Sequence, residues 1–424
     1  MKRFTASVVA AISLAAPAAA TAETEITVWG WGVAAKALDA TVAGFNAENP
    51  DIKVTVENLG YSQVKSRVLA ACAAGGTGLP DVFQFQNIEM ELIKAQFPDC
   101  ATDLVPLGFD ADKQAGFPDF KLTALRDGER VIGMPWDTGP AVLFYRRDFY
   151  KNAGVDPESV VTWEDFHAAG KKIMEANPGV TMSNDNLNGG AEWFRMIANE
   201  QGCGYFSEDG ESITVNQPGC VAALEVLGRM VNDGLVTAGD FSERVQNAGA
   251  GVVATAMNGA WFDGTLRDNV PAEQAGLWGV TLMPTVAEGG SRAANVGGSL
   301  LAIADNSDQK DAAYKYLAYT LGTNEGQITM LREYGLVPSL LSALEDPFVK
   351  EPHPFYADQT VWETVLGRLD KIKPATGTPF FGDADQVIQA TQIAYIKGEH
   401  ESAQSALDDA AKQISFATGL PIAK

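Results

Sequence analysis

The sequence predicts an α/β protein of two lobes, on three observations. The chain has 424 residues, 46% of them hydrophobic, which is enough for a substantial core and for more than one domain. Its first hundred residues alternate strand, helix, strand, helix, strand at the spacing of right-handed βαβ units on a parallel sheet. Helices then alternate with short strands, and no flexible junction divides the chain. Two α/β lobes joined by several crossings fit this pattern better than two domains in tandem.

The elements follow in order. Ile26 and Val28 begin a strand that runs into Val28-Trp29-Gly30-Trp31-Gly32. Leu38, Val42 and Phe45 recur at four and three residues, one face of a helix that Asn49-Pro50-Asp51 stops. Ile52, Val54 and Val56 alternate as a second strand. Val64, Val68 and Cys72 mark a second helix, closed by Gly75-Gly76, and residues 81–85 form a third strand. After Asp103 the pattern changes. A hairpin turns around Asp127-Gly128, a strand covers Pro140–Tyr150, and Thr162 caps a helix with Asp165 three residues on. Residues 295–305 read as a buried strand, 308–322 as a helix capped by Gly322, and the last 45 residues as helical. In such sheets ligands collect beyond the carboxyl ends of the strands, where Trp29, Trp31, Gln84, Gln86 and Asn87 fall. Three amides on an apolar strand are costly to bury without partners.

Charge narrows the function classes. From Glu23 onward 54 acids face 29 bases, a net of −25. Such a surface repels phosphate backbones and anionic lipid heads, so no nucleic-acid partner and no membrane-surface adhesion are expected. Residues 1–22 read as a signal peptide: Met1-Lys2-Arg3, an alanine-rich apolar run, then Ala20-Thr21-Ala22 before a cleavage site. No later run of about 20 apolar residues follows. The mature protein is expected to be exported and soluble, in the periplasm. Four cysteines then permit disulfides in any of three connectivities. Cys203 and Cys220 flank a turn-rich loop and pair naturally, leaving Cys72 with Cys100. No C-x-x-C spacing points to metal or redox chemistry, and no metal or cofactor is expected.

Several segments together carry a resemblance. Residues 26–32 with 45–61, "LPDVFQFQN", "GMPWDTGPAVLFYRRDFYKNAGVD", "VTWEDFHAAGKKI", "ATAMNGAWF", "GVTLMPT" and "NVGGSLLAIADNSDQKDAAYKYLAYTLGTNEGQ" are similar, in this order, to the solute-binding proteins of bacterial ABC importers. The likeness spans nearly the whole mature chain and is to the extracellular family-1 type that includes maltodextrin-binding proteins. It implies the two-lobed periplasmic binding-protein fold of type II, with parallel-rich sheets flanked by helices and a hinged cleft. By that likeness the crossings lie near 134–137, 292–297 and 336–339. One lobe is then 23–134 plus 295–335, and the other 135–294 plus 336–424.

A sugar offers apolar C–H faces and many hydroxyls, so its site should combine flat aromatic rings with paired donors and acceptors. Trp29 and Trp31 meet that need at the first strand's end, Trp29 also being suited to capping the sheet. Gln86 and Asn87 resemble the family's polar loop that reads hydroxyls. Asp137 follows Trp136 at a crossing, and Trp193 or Phe194 matches an aromatic the family sets against sugar. Trp261 in "MNGAWFDG" resembles the family's "NG-x-W" floor, with Asp263 two residues on. Gly298 permits close backbone approach, and Phe381 resembles a late cleft aromatic.

The resemblance implies a monomer that captures a mono- or oligosaccharide and delivers it to an ABC permease, with no catalysis. A polyamine, phosphorylated polyol, organic acid or metal chelate on the same scaffold is the alternative, and a secreted carbohydrate-active enzyme a further one. The three histidines are scattered, and no G-x-S-x-G, H-E-x-x-H or P-loop occurs.

Overall fold

A computed structural model describes residues 24–424. The expected signal peptide, residues 1–22, lies outside the described residues. β1 (Thr24–Trp31), α1 (Gly32–Glu48), β2 (Ile52–Leu59), α2 (Tyr61–Ala73) and β3 (Val82–Gln86) follow one another as the periodicity predicts. β1 pairs parallel with β2, Thr24 opposite Ile52 and Trp31 opposite Leu59, and parallel with β3, Val28 opposite Val82. The strand Ser299–Ile303 adds antiparallel to β3 and Met134–Pro135 completes the five-stranded sheet. Leu38 and Phe45 of α1 are fully buried against this sheet, as their spacing predicts.

The second lobe is built on an antiparallel sheet. Ala141–Arg146 lies between Thr255–Gly259 and Trp278–Leu282. A short parallel pair, Ser183–Asp185 with Val236–Ala238, stands beside it. Strand alternation sorts the central strand onto two cores. Val142 and Phe144 join the apolar cluster of the five-stranded sheet, whereas Ala141, Leu143 and Tyr145 join the cluster beneath the later helices. Thr162 caps the helix Trp163–Ala176 with a reciprocal Asp165 bond, the capping box read from sequence. The helix expected to reach Gly322 ends at Thr320, with Leu321 as its cap. Cys72–Cys100 and Cys203–Cys220 are the disulfides, with Cα separations of 5.2 and 5.5 Å.

Three segments distant in sequence run side by side. Asp137–Thr138 pairs antiparallel with Val337–Pro338, and Pro140 bridges to Asn295. Gly139 allows the closest approach, since a Cβ there would lie 2.0 Å from the Val296 carbonyl oxygen. α1 also meets the helix Phe262–Asn269 through a Lys36–Asp268 ion pair at 2.7 Å.

Candidate functional site

One bank of the cleft is the carboxyl edge of the five-stranded sheet. The Trp31 amide donates to Gln84 Oε1 at 3.1 Å, and Gln84 Nε2 donates to Ser299 Oγ at 2.9 Å. That internal pairing explains how Gln84, 1% exposed, tolerates burial. The Trp31 ring meets Tyr61, the first residue of α2, edge-to-face at 5.2 Å. Tyr61 Oη donates to Glu89 Oε1 at 3.0 Å, and the Lys65 ammonium binds the same oxygen. Glu89 is buried, and its Oε2 has no partner among the described residues.

The facing bank comes from the second lobe. Arg195, on the helix Glu192–Glu200, donates to Asp385 Oδ1 at 3.1 Å. Tyr205 Oη reaches the same oxygen at 2.7 Å, and the Tyr205 ring stacks on Phe381 at 5.4 Å. The two banks sense each other. The Tyr61 hydroxyl pKa is raised by burial and by Glu89, while Arg195 opposes the shift and Asp385 adds to it. Burial would lower the Arg195 pKa, but Asp385, Tyr205, Glu192 and Tyr61 together raise it, so its charge is fixed. Ile88, in the turn after β3, packs against the second lobe's core.

Towards the crossings the floor is aromatic. The half-buried Trp261 donates through Nε1 to the Val296 carbonyl at 3.0 Å, and Phe241, 43% exposed, lies 6.3 Å from its ring. At the same ends of the second lobe's strands sits a buried polar group. Arg244 NH1 binds Glu192 at 2.7 Å and lies 3.8 Å from Asp185. Burial raises the Asp185 pKa to about 6, with Arg244 opposing and Glu192 adding. The Nδ2 atoms of Asn184 and Asn258 have no partner among the described residues.

The residues singled out from sequence divide into three groups. Trp31, Trp261 and Phe381 stand in the aromatic and ionic arrangement just described, and the half-buried Gln86 lies at the same sheet edge. Asn87, Asp137 and Gly298 gather instead around the buried Lys121, whose Nζ lies 2.6 Å from Asn87 Oδ1 and 2.6 Å from the Asp137 carbonyl. Trp29, Trp193 and Asp263 serve elsewhere. Trp29 lies under α2, with the Arg67 guanidinium 5.6 Å from its ring, beside an open groove of about 430 Å³. Trp193 is fully enclosed, 5.6 Å from Trp163 and 6.2 Å from Phe166, which leaves no ring face for a ligand. Asp263 is also fully buried and spends both oxygens, on Tyr356 at 2.7 Å and on Arg267 at 2.7 and 3.0 Å. Tyr61, Glu89, Tyr205 and Asp385 were not singled out. Tyr61 opens a helix just past a strand's carboxyl end, so the rule that selected Trp31 applies to it too. Asp385 and Tyr205 carry no local signal, being 180 residues apart.

A family model described as bacterial extracellular solute-binding protein matches residues 30–327. The chain belongs to that family, whose members work outside the cytoplasm as binding proteins. It is similar to the lactose-binding protein of Rhizobium radiobacter, 28% identical over 426 residues and covering 98% of each chain. It is also similar to the arabinooligosaccharide-binding protein of Bacillus subtilis (strain 168), 27% identical over 406 residues with 92% of each covered. Among solved structures, the GacH receptor of Streptomyces glaucescens, determined unliganded and with acarbose, superposes with a TM-score of 0.80 at 19% identity. That match covers 94% of this chain and 99% of the other. The fold is therefore the two-lobed periplasmic binding-protein fold.

Proposed function

We propose that this protein is the exported solute-binding component of an ABC importer, and that it captures a mono- or oligosaccharide between its lobes and hands it to a membrane permease. The observation that carries the reading is the pairing of charge beside the aromatic rings. Lys65 is matched by Glu89, Arg195 by Asp385, and Arg244 by Glu192. An anionic ligand would want an unmatched Arg or Lys. Matched pairs next to Trp31, Tyr61, Trp261, Phe241 and Phe381 suit a neutral ligand with apolar faces and hydroxyls. The relatives that bind lactose and arabinooligosaccharide support the same class.

The lobes in this reading are 23–134 plus 295–335 and 135–294 plus 336–424, hinged where 137–140, 295–298 and 337–339 run together. Cleavage after Ala22 releases the mature chain. Ligand drives closure by binding the closed form better than the open one, and no bond is made or broken. The test is a tryptophan-fluorescence screen over neutral saccharides, polyols, polyamines and phosphorylated polyols. A saturable response to a neutral saccharide is expected. Silence toward every saccharide, with a response to a polyamine or a phosphorylated polyol, overturns the reading.

A further inference from the structure

We propose that Lys121 is the positioning residue of the cleft: its ammonium fastens the ligand-facing turn Asn87–Glu89 to the first segment that crosses between the lobes and to the strand that follows the second. Lys121 is 4% exposed, on the short helix Asp119–Thr123. Its Nζ donates to Asn87 Oδ1 at 2.6 Å, to the Asp137 carbonyl at 2.6 Å and to the Ser299 carbonyl at 3.4 Å. An ammonium has three N–H groups and no acceptor, so these three oxygens use it completely. Asn87 Nδ2 returns a bond to the Lys121 carbonyl at 3.4 Å. The Asp137 carboxylate, 5% exposed, is the titratable group set against the ammonium, and it accepts from the Ser299 amide at 2.7 Å. Gly298 makes the room. Its φ is +94°, and a Cβ there would lie 3.1 Å from Lys121 Nζ and 3.2 Å from the Asp137 carbonyl oxygen.

Packing alone does not call for this arrangement, because an apolar side chain of similar length would bury the same stem without a charge. What the ammonium adds is a tie. Asn87 belongs to the turn that carries Glu89, the partner of Tyr61 and Lys65. Asp137 belongs to the first crossing, and Ser299 begins the strand that follows the second. Burial lowers the Lys121 pKa to about 8, with Asp137 opposing, so the tie loses a proton in mild alkali. Two N–H groups then serve three acceptors, the Asp137 carboxylate loses its counter-charge, and the turn is held less firmly. Ligand affinity should fall.

Stability responds in the opposite sense. The folded-state pKa lies below the ordinary 10.5, so between about 8 and 10.5 the unfolded chain binds more protons. Stability from this group therefore rises with pH across that window. Alkaline loss of affinity through Lys121 is thus distinguishable from unfolding.

The inference rests on the cleft being the ligand site. The experiment measures Kd for a neutral saccharide by calorimetry at pH 7 and 9.5, with thermal melts, for the wild type, Lys121→Met and Lys121→Arg. The wild type should weaken by about tenfold, a size typical of coupling between two sites. Lys121→Met should bind weakly at both pH values, and Lys121→Arg, permanently charged, should lose the alkaline fall. If Lys121→Met does not fold, the wild type and Lys121→Arg decide. Equal affinity of the wild type at both pH values overturns the proposal, as does an undiminished fall in both variants. If no saccharide binds the wild type at pH 7, the functional reading fails, and ligand-free small-angle scattering judges Lys121. Its maximum dimension should then grow with pH in the wild type but not in Lys121→Arg, and equal growth in both overturns the tie.

Discussion

Trp261 and Gly298 differ in kind, the one proposed to meet ligand and the other shaping the scaffold. Trp261 is held at one edge by its bond to the Val296 carbonyl, and its ring borders Phe241. Trp261→Ala should weaken saccharide binding by about 2 kcal/mol, roughly 30-fold in Kd, as for other central aromatic anchors. Calorimetry checks the loss, and a circular-dichroism melt checks that the variant stays folded. Gly298→Ala should destabilise by about 1–3 kcal/mol, because the residue would keep a φ of +94° and press on Lys121. Chemical denaturation reads that cost. Asp185 supplies a pH signature. Its folded pKa is raised from 3.8 to about 6, so the native state binds more protons between those values and the group's stability contribution is lost as pH rises through them. Asp185→Asn should therefore gain in melting temperature relative to the wild type between pH 4 and 6, with the gap levelling above. A gap constant with pH would contradict the buried-carboxylate description. Residues were legible in proportion to how local their partners are. Trp31 and Trp261 were singled out by their place at element ends, and both stand among the rings of the candidate site. Trp193 was placed at the cleft because the partners that enclose it, Trp163 and Phe166, lie far off in sequence. Asp263 misled because Tyr356, its partner, is 93 residues away.

At the scale of elements the periodicities were nearly sufficient. β1, α1, β2, α2 and β3 follow the spacing of Val28, Leu38, Phe45, Val54 and Val68, all buried. The helix Trp163–Ala176 could be placed from Thr162 and Asp165 alone. Thr162→Ala should cost about 1 kcal/mol by leaving the Asp165 amide unpaired, visible as a lower denaturation midpoint. Strand direction was less legible. The central strand Ala141–Arg146 is buried along its whole length, so its sequence carries no alternation to separate parallel from antiparallel neighbours. The antiparallel pairing of this sheet follows from partners more than 100 residues on, Thr255–Gly259 and Trp278–Leu282. The cysteine pairings were half legible. Cys203 and Cys220 are 17 residues apart across a turn, and Cys72 and Cys100 followed as the remainder.

The whole molecule is a pair of lobes, and the banks of its candidate site combine rings with matched charges. Its formal charge of −23 disfavours anions, and the cations beside the rings, Lys65, Arg195 and Arg244, are each matched by a carboxylate. Neutral saccharide capture is the central claim, and a calorimetric titration of the mature chain with mono-, di- and oligosaccharides tests it most directly. The predicted result is saturable binding, one ligand per chain, by at least one neutral saccharide at pH 7. The contradicting result is no heat with any saccharide, alongside saturable binding of a polyamine or a phosphorylated polyol.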